Sequence, residues 1–245
     1  MGVLSDIHGN FRALGAVLSD MERRGGVDRT VCLGDVAATG PQPKEVIDFL
    51  RGSGWSCVMG NMDEQLARNI AEEVGANVGE QERMKILGLD AWTRRQVSAS
   101  DRRYLAAFRP TVELRPKGGP DFLTYHGSPR SNVEGIFPTT SDVELRIHLK
   151  GREPGVLAGG HTHAQMLRRL DGSVIINPGS VGYPFDRTAS GRILHPAHAE
   201  YAIVSAGGDV LEVELIAVPY PLSELREDVE KSGLPDPRWW MSDWY

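Results

Sequence analysis

Met1-Gly2-Val3-Leu4-Ser5-Asp6-Ile7-His8-Gly9-Asn10 stands at the head of the sequence. A short apolar run suited to a buried strand leads straight into a carboxylate and an imidazole two residues apart. A glycine and a helix-capping asparagine follow. From Phe11, the residues Leu14, Val17, Leu18 and Met21 recur at helical spacing to about Arg24, and Gly25-Gly26 stops the helix. The same unit returns twice. Arg29 to Leu33 reads as a strand ending at Gly34-Asp35, with a loop to Pro43 and a helix from about Lys44 to Arg51. Trp55 to Met59 reads as a strand ending at Gly60-Asn61-Met62-Asp63, with a helix from about Glu64. Three strand–loop–helix units, each with a ligand-type side chain after the strand, predict βαβ crossovers. The reactive edge of such a sheet lies at its strand C-termini.

From Ala71 to Phe108 strand signals vanish, and Met84, Leu87, Leu89, Trp92, Val97, Leu105 and Phe108 point to two or three helices. This stretch, about 71–109, reads as a helical insertion within one domain spanning 1–245. Thr111 to Leu114 and Phe122 to Tyr125 form an expected hairpin through Lys117-Gly118-Gly119-Pro120, and its second strand ends at His126-Gly127-Ser128-Pro129. A helix from about Ser141 to Leu149 precedes the strand Val156-Leu157-Ala158, which runs into Gly159-Gly160-His161-Thr162-His163. Side chains alternate along a strand, so two histidines at i and i+2 project to one side. Met166 to Leu170 and Ser173 to Ile176 pair around Asp171-Gly172, a strong hairpin signal. Asn177-Pro178-Gly179-Ser180-Val181-Gly182 is a tight loop, and Tyr183 to His198 is expected to be an irregular surface loop. Tyr201 to Ser205 and Val210 to Ile216 make a further hairpin around Gly207-Gly208-Asp209, and Leu222 to Lys231 a last helix. The tail at about 235–245, with Trp239, Trp240 and Trp244, is too aromatic to lie loose in water. It is expected to pack on the body or on a second copy of the chain.

Composition narrows the classes. At 245 residues, 40% hydrophobic and 24% charged, the chain has the make-up of an ordinary globular protein. A net charge of −6 and no run of five basic residues give no nucleic-acid footprint. No apolar stretch reaches the ~18 residues of a membrane helix, and no signal-peptide pattern is present. Cys32 and Cys57 both lie in apolar strands, which reads as two buried thiols and a reducing cytoplasm.

Five strand ends together carry Asp6 and His8, Asp35, Asn61, His126, and His161 with His163, a set that holds four of the seven histidines. Each residue alone has an ordinary reading as a turn former, a cap or a satisfied core histidine; five at once point to a metal site. Carboxylate, imidazole and amide oxygen suit borderline divalent cations such as Mn²⁺, Fe²⁺, Co²⁺, Ni²⁺ or Zn²⁺.

In these motifs and their order the chain resembles the calcineurin-like binuclear metallophosphoesterases, and within them the small prokaryotic phosphodiesterase branch. The resemblance runs from Ser5-Asp6-Ile7-His8-Gly9-Asn10 through Gly34-Asp35, Gly60-Asn61-x-Asp63 and His126-Gly127 to Gly160-His161-x-His163. It implies an α/β fold, a four-layer αββα sandwich of two mixed sheets flanked by helices. It further implies two divalent metals, Mn first among them. Asp6, His8 and His163 would hold one, Asn61, His126 and His161 the other, and Asp35 would bridge both. Asp35, Asn61 and His126 would be catalytic, and a hydroxide shared by cations ~3.5–4 Å apart would attack phosphorus in line. The implied activity is hydrolysis of a small phosphodiester, with a nucleotide in view. A phosphomonoesterase, a dinucleoside-polyphosphate hydrolase and a non-catalytic scaffold of the same fold are the alternatives.

One position departs from the family. Its usual Gly-Asn-His-Asp/Glu reads Gly60-Asn61-Met62-Asp63 here. In the family that histidine contacts the scissile phosphate and protonates a departing alkoxide, whereas a thioether has no proton to give. General acid catalysis contributes about 10²–10⁴-fold, so the change favours diesters and activated leaving groups. The Asp-Arg-Gly of Ser/Thr protein phosphatases is also missing, since Ala37-Ala38-Thr39-Gly40 stands in that stretch. For substrate contacts the candidates are Arg12, Arg130 and Arg187 as phosphate forks, Met62 by position, and Tyr183 with Phe185 as stacking rings.

Overall fold

A computed structural model describes residues 1–75, 78–116, 119–149, 151, 155–207 and 210–245. Its elements are, in order, β1 (Gly2–Leu4), α1 (Phe11–Arg23), β2 (Thr30–Cys32), α2 (Pro43–Ser53), β3 (Ser56–Cys57), α3 (Asn61–Arg68), α4 (Glu80–Gln96) and α5 (Ala99–Leu105). Then come β4 (Thr111–Leu114), β5 (Phe122–Tyr125), α6 (Asp142–His148), β6 (Val156–Ala158), β7 (Met166–Leu170) and β8 (Ser173–Asn177). The chain closes with β9 (Asp186–Arg187), β10 (Ile193–Leu194), β11 (His198–Gly207), β12 (Val210–Pro219), α7 (Leu222–Ser232) and α8 (Pro237–Trp240).

Two five-stranded mixed sheets carry the architecture, in the orders β12-β11-β1-β2-β3 and β4-β5-β6-β8-β7. In the first, β1, β2 and β3 are parallel, while β11 runs antiparallel to both of its neighbours, β1 and β12. In the second, β5, β6 and β8 are parallel, with β4 and β7 antiparallel at the edges. Alternation along each strand then dictates the layers. Val3, Val31, Leu33 and Val58 of one sheet meet Phe122, Val156, Ala158, Val174 and Ile176 of the other in a core between the sheets. The opposite faces, Leu4 and Cys32 on one sheet and Leu123, Leu157 and Ile175 on the other, look outward to helices. The first meets α1, α2 and α7 through residues such as Leu14, Val17, Ile47 and Leu225; the second meets α6 through Leu145. Three cores between four layers make the αββα sandwich.

Local chemistry explains the boundaries. Asn10 caps α1, its Oδ1 accepting from Ala13 N at 3.0 Å. Asp171 and Gly172, with φ of 49° and 81°, form the left-handed pair that a two-residue hairpin requires. Lys117-Gly118 and Gly208-Asp209, parts of two expected turns, lie outside the described residues.

Four expectations change. The third helix begins at Asn61 rather than near Glu64, because Gly60 serves as cap and the Asp63 carboxylate reaches back to Gly60 N at 3.2 Å. Tyr183 to His198 is no plain surface loop, for it contains the β9–β10 hairpin and buries His195. Cys57 is only half-buried, although both cysteines are free thiols. The β11–β12 hairpin is longer than expected, ten residues in each strand. Helices α4 and α5 give Leu89, Trp92 and Leu105 to the same core as α1 and α2. Trp240 and Trp244 are buried on the body of the chain, and Trp240 Nε1 donates to Thr39 O at 2.9 Å. No helix among the described residues is long and apolar enough to cross a membrane.

Candidate metal centre

The C-terminal ends of β1, β2, β5 and β6, and the loop after β3, bring all seven expected ligands to one edge of the sandwich. Two donor groups result, Asp6 with His8 and His163, and Asp35 with His126 and His161. Asn61 joins the second, its Oδ1 lying 3.1 Å from His126 Nε2. Asp6, His8, Asp35, His126 and His163 are buried, while Asn61 and His161 are half-buried and mark the open side.

The backbone is bent to present these atoms. Asp6, His8, Asp35, His161 and His163 have φ of 55°, 48°, 52°, 67° and 53°, the left-handed region that side chains disfavour. Each such residue costs on the order of 1 kcal/mol or more, and strain of this kind gathers at functional sites. Neighbouring loops hold it in place. Val181 N donates to Ser5 O and Gly182 N to Asp6 O, both at 3.0 Å, and Ser180 Oγ donates to Asp6 O at 2.8 Å. Asn177 Nδ2 reaches Gly160 O at 2.8 Å. The Asn177–Gly182 loop thus ties the ligand turn after β1 to the one after β6. No room is left for a side chain at Gly182, where a Cβ would lie 1.7 Å from Ile7 O. The Asp63 carboxylate does the same work for Asp35, accepting from Asp35 N at 2.8 Å and Val36 N at 2.9 Å.

Three imidazoles are oriented through their far nitrogens. His8 Nδ1 lies 3.3 Å from Ala38 O, His163 Nδ1 2.6 Å from Tyr183 O and His126 Nδ1 2.8 Å from Leu33 O. A proton on each Nδ1, donated to its carbonyl, leaves the Nε2 lone pair facing the centre, as a metal ligand requires. The donor atoms converge: His163 Nε2 is 3.2 Å and His8 Nε2 3.7 Å from Asp6 Oδ1, and His126 Nε2 is 3.3 Å from Asp35 Oδ2. Asp6 Oδ1 is buried with no hydrogen-bond partner among the described residues. A buried carboxylate oxygen left in that state beside two imidazole lone pairs is what a bound cation satisfies. The residues therefore fit a metal.

Electrostatics agree. Burial would raise the Asp6 carboxyl, but the charges of His163 and His126 outweigh it and hold it well below the usual carboxylate range. Burial likewise opposes charge on His126, yet Asp35 pushes that imidazole up to about 10. His163 is raised by Asp6 against its own burial, while burial and the charge of His126 lower His161. Asp35, held low by His126 against burial, also feels His8 and Asp6 from the other group. A cation entering here displaces protons.

The expected substrate contacts fare less evenly. Arg12 does not join the site. Its Nε and Nη2 bond Asp228 at 2.9 and 3.2 Å, and its Nη1 bonds Glu224 at 2.6 Å, so all three nitrogens are committed to α7. Arg130 pairs with Glu134 in a cleft of about 450 Å³ that also contains Glu64, Phe108 and Asn132. Met62 donates its backbone N–H to Asp35 Oδ1 at 2.9 Å, and its Sδ lies 3.8 Å from Thr39 Oγ1, against the core rather than free in solvent. Tyr183 contributes its carbonyl to His163, and its ring stacks on His195 with centroids 3.9 Å apart. Phe185, 42% exposed, lies 4.4 Å from the His163 ring at 30°. Arg187 is exposed on β9. The supporting roles of Asn177, Ser180 and Asp63 escaped the sequence reading, though each stands inside a quoted motif.

Residues 1–199 match the calcineurin-like phosphoesterase superfamily domain. An uncharacterized protein of Methanocaldococcus jannaschii is 24% identical over 259 residues, covering 99% of this chain and 96% of that protein. The crystal structure of a metallophosphoesterase from Sphaerobacter thermophilus superposes with a TM-score of 0.72 at 24% identity, over 99% of this chain and 96% of that one. A hypothetical protein from Pyrococcus horikoshii OT3 gives a TM-score of 0.74 at 21% identity, over 96% and 94%. The two structures share the fold, and the domain match shows the family: the chain belongs to the calcineurin-like phosphoesterase superfamily, a metal-dependent family of phosphate-ester hydrolases.

Proposed function

We propose that the protein is a two-metal phosphodiesterase acting on a small diester, a nucleotide by preference. The observation that carries this reading is the pair of donor groups, with Asp35 of the second also feeling the charges of His8 and Asp6 in the first. Asp6, His8 and His163 would hold one cation, Asn61, His126 and His161 the other, and Asp35 would serve both, with Mn²⁺ the favoured metal. Two cations there would supply an acidified water nucleophile and neutralise charge on the phosphoryl oxygens. The chain's own part is to hold the donors rigid through the Nδ1 contacts and Asp63. The half-buried side, at Asn61 and His161, is where substrate enters. The two free thiols fit a reducing, cytoplasmic setting.

Met62 favours one other reading, a scaffold that keeps the fold without turnover and docks a partner or a second copy. The strained, complete donor set speaks against it. The test is turnover of bis(4-nitrophenyl) phosphate beside 4-nitrophenyl phosphate, with metal-stripped protein reconstituted with Mn²⁺ and Asp35→Asn as control. Metal-dependent diester cleavage exceeding monoester cleavage, abolished in the variant, is expected. Faster monoester cleavage would move the reading to a monoesterase, and no turnover with two bound ions to the scaffold.

A further inference from the structure

Beside the metal centre the short β9–β10 hairpin leaves one face open to solvent. Ile193 pairs with Arg187, and Leu194 with Asp186. Side chains alternate along each strand, and directly opposed residues share a face. Phe185, Arg187, Ile193 and His195 therefore lie on one side of the hairpin, Asp186 and Leu194 on the other. Contacts agree with that division. The Phe185 and His195 rings are 5.5 Å apart, while Asp186 turns to the tail and accepts from the Tyr245 hydroxyl at 2.7 Å.

The root of the hairpin is fixed. His195 Nδ1 lies 3.0 Å from Pro184 O, and His195 N donates to Asp243 O at 2.7 Å. From that root the open face leads outward from the donor atoms. The Phe185 ring rests 4.4 Å from the ring of His163, whose Nε2 lies 3.2 Å from Asp6 Oδ1, yet Phe185 stays 42% exposed. Ile193, the partner of Arg187, is 36% exposed. The Arg187 guanidinium has no carboxylate partner among the described residues, and its Nη1 makes one long hydrogen bond, 3.4 Å to Gly191 O. Arg192 of the same hairpin is committed to Asp243, as Arg12 and Arg130 are to their own carboxylates.

We infer that this face is a nucleotide subsite: the base of a nucleoside joined to the attacked phosphorus stacks on Phe185, and a second phosphate of the same substrate is held by Arg187. The inference rests on the phosphodiesterase reading above and narrows its substrate to nucleotides that carry a further phosphate. An aromatic ring against a metal ligand puts a stacked base beside the reacting phosphate. Stacking of this kind accepts any base, since every base has a flat face. The unpaired guanidinium supplies the fork that a phosphate oxygen pair fits. Ile193 gives the sugar between them an apolar floor.

Three diesters with one leaving group test the two contacts in turn. They are methyl 4-nitrophenyl phosphate, thymidine 5′-(4-nitrophenyl phosphate), and the latter with a phosphate on its 3′ oxygen. In protein reconstituted with Mn²⁺, KM should fall about tenfold at each step. Phe185→Leu should remove the first gain and Arg187→Gln the second, with kcat moved far less than KM, as for a contact equally strong before and during the reaction. Binding is read without turnover by isothermal titration of thymidine 3′,5′-bisphosphate, which Arg187→Gln should weaken about tenfold. Arg187 makes no hydrogen bond or ion pair to a donor residue, so that variant decides the matter even where Phe185→Leu disturbs His163 and sheds metal. Equal KM for the three esters in wild type, or bisphosphate binding untouched by Arg187→Gln, would overturn the assignment. Wild type that cleaves none of the three, while still binding the bisphosphate through Arg187, would instead overturn the phosphodiesterase reading.

Discussion

Gly182→Ala is the sharpest probe of how the metal centre is held. Gly182 does not have a left-handed backbone, so alanine suffers no dihedral penalty, and the whole effect comes from contact. A Cβ there would lie 1.7 Å from Ile7 O and 2.6 Å from Ile7 C, where ordinary contact begins at 3.4 Å. Either the carbonyl between Asp6 and His8 retreats by about 1.7 Å or the Asn177–Gly182 loop lifts away. Lifting breaks the bonds from Val181 N to Ser5 O and from Gly182 N to Asp6 O, at about 1 kcal/mol each. Overpacking adds about 1–3 kcal/mol, and the stiffer unfolded chain returns up to about 1 kcal/mol. The net is about 2–4 kcal/mol, and since 1.4 kcal/mol is tenfold, strain of that size at Asp6 and His8 weakens their cation by about 10²-fold. The assay is Mn²⁺ content by mass spectrometry after dialysis, with isothermal titration for affinity. Gly15→Ala is the control, because a Cβ at that helical position meets nothing within 4 Å. The expected result is loss of the ion at Asp6, His8 and His163 in Gly182→Ala and full occupancy in Gly15→Ala. Two ions at wild-type affinity in Gly182→Ala would refute the view that this loop holds the ligand turn.

Met62→His should raise cleavage of phenyl phosphate, whose leaving oxygen needs a proton, more than that of 4-nitrophenyl phosphate, whose leaving oxygen does not; an equal effect on both would show that position 62 lies off the proton path. Removing metal should lower the melting temperature. Ions at a hundred times their Kd stabilise by about 2.7 kcal/mol, which for a chain of this size is roughly 5–10 °C by differential scanning calorimetry. A stripped protein melting at the same temperature would mean that the donor groups bind nothing tightly. Glu134 makes the pH prediction. Hydrogen bonds from Arg130 and Ser128 bring its carboxyl down to about 2. A group lowered on folding stabilises above its unfolded value and loses that contribution as pH falls through the folded one. The stability gap between wild type and Glu134→Gln in urea titrations should therefore be full at pH 6 and close between about pH 4.5 and 2. A gap independent of pH would leave its source in packing.

The strand ends were legible because each ligand follows an apolar run whose length and flanking glycine mark it without help from distant chain. Asp6, Asp35, His126 and His161 with His163 all have that signature, and the fold follows from the repeats between them. What stayed hidden depends on partners far away in sequence. Arg12 looks like a phosphate fork beside a ligand motif, but Glu224 and Asp228, more than two hundred residues on, claim its nitrogens. The start of α3 at Asn61 has no side-chain cap to betray it, since Gly60 provides the cap with backbone alone. Tyr183 to His198 lacks any period because its packed rings, half-buried Tyr183 and buried His195, lie against each other in an irregular chain rather than along one side of a helix or strand.

The place of β1 has a consequence for how the molecule comes into being. β1 sits between β2 and β11, pairing Gly2 with Ile203 and Val3 with Ala202. During synthesis one whole edge of that strand waits, its backbone groups unsatisfied, until β11, some two hundred residues on, has emerged. Contacts of such long sequence separation are slow to close, and an unpaired strand edge invites other chains in the interval. Asp6 and His8, on the turn after β1, share the wait, so their donor group is not held in place before β11 is made. A chain stalled before residue 198 would expose strands without a partner and leave the turn that carries Asp6 and His8 unsupported.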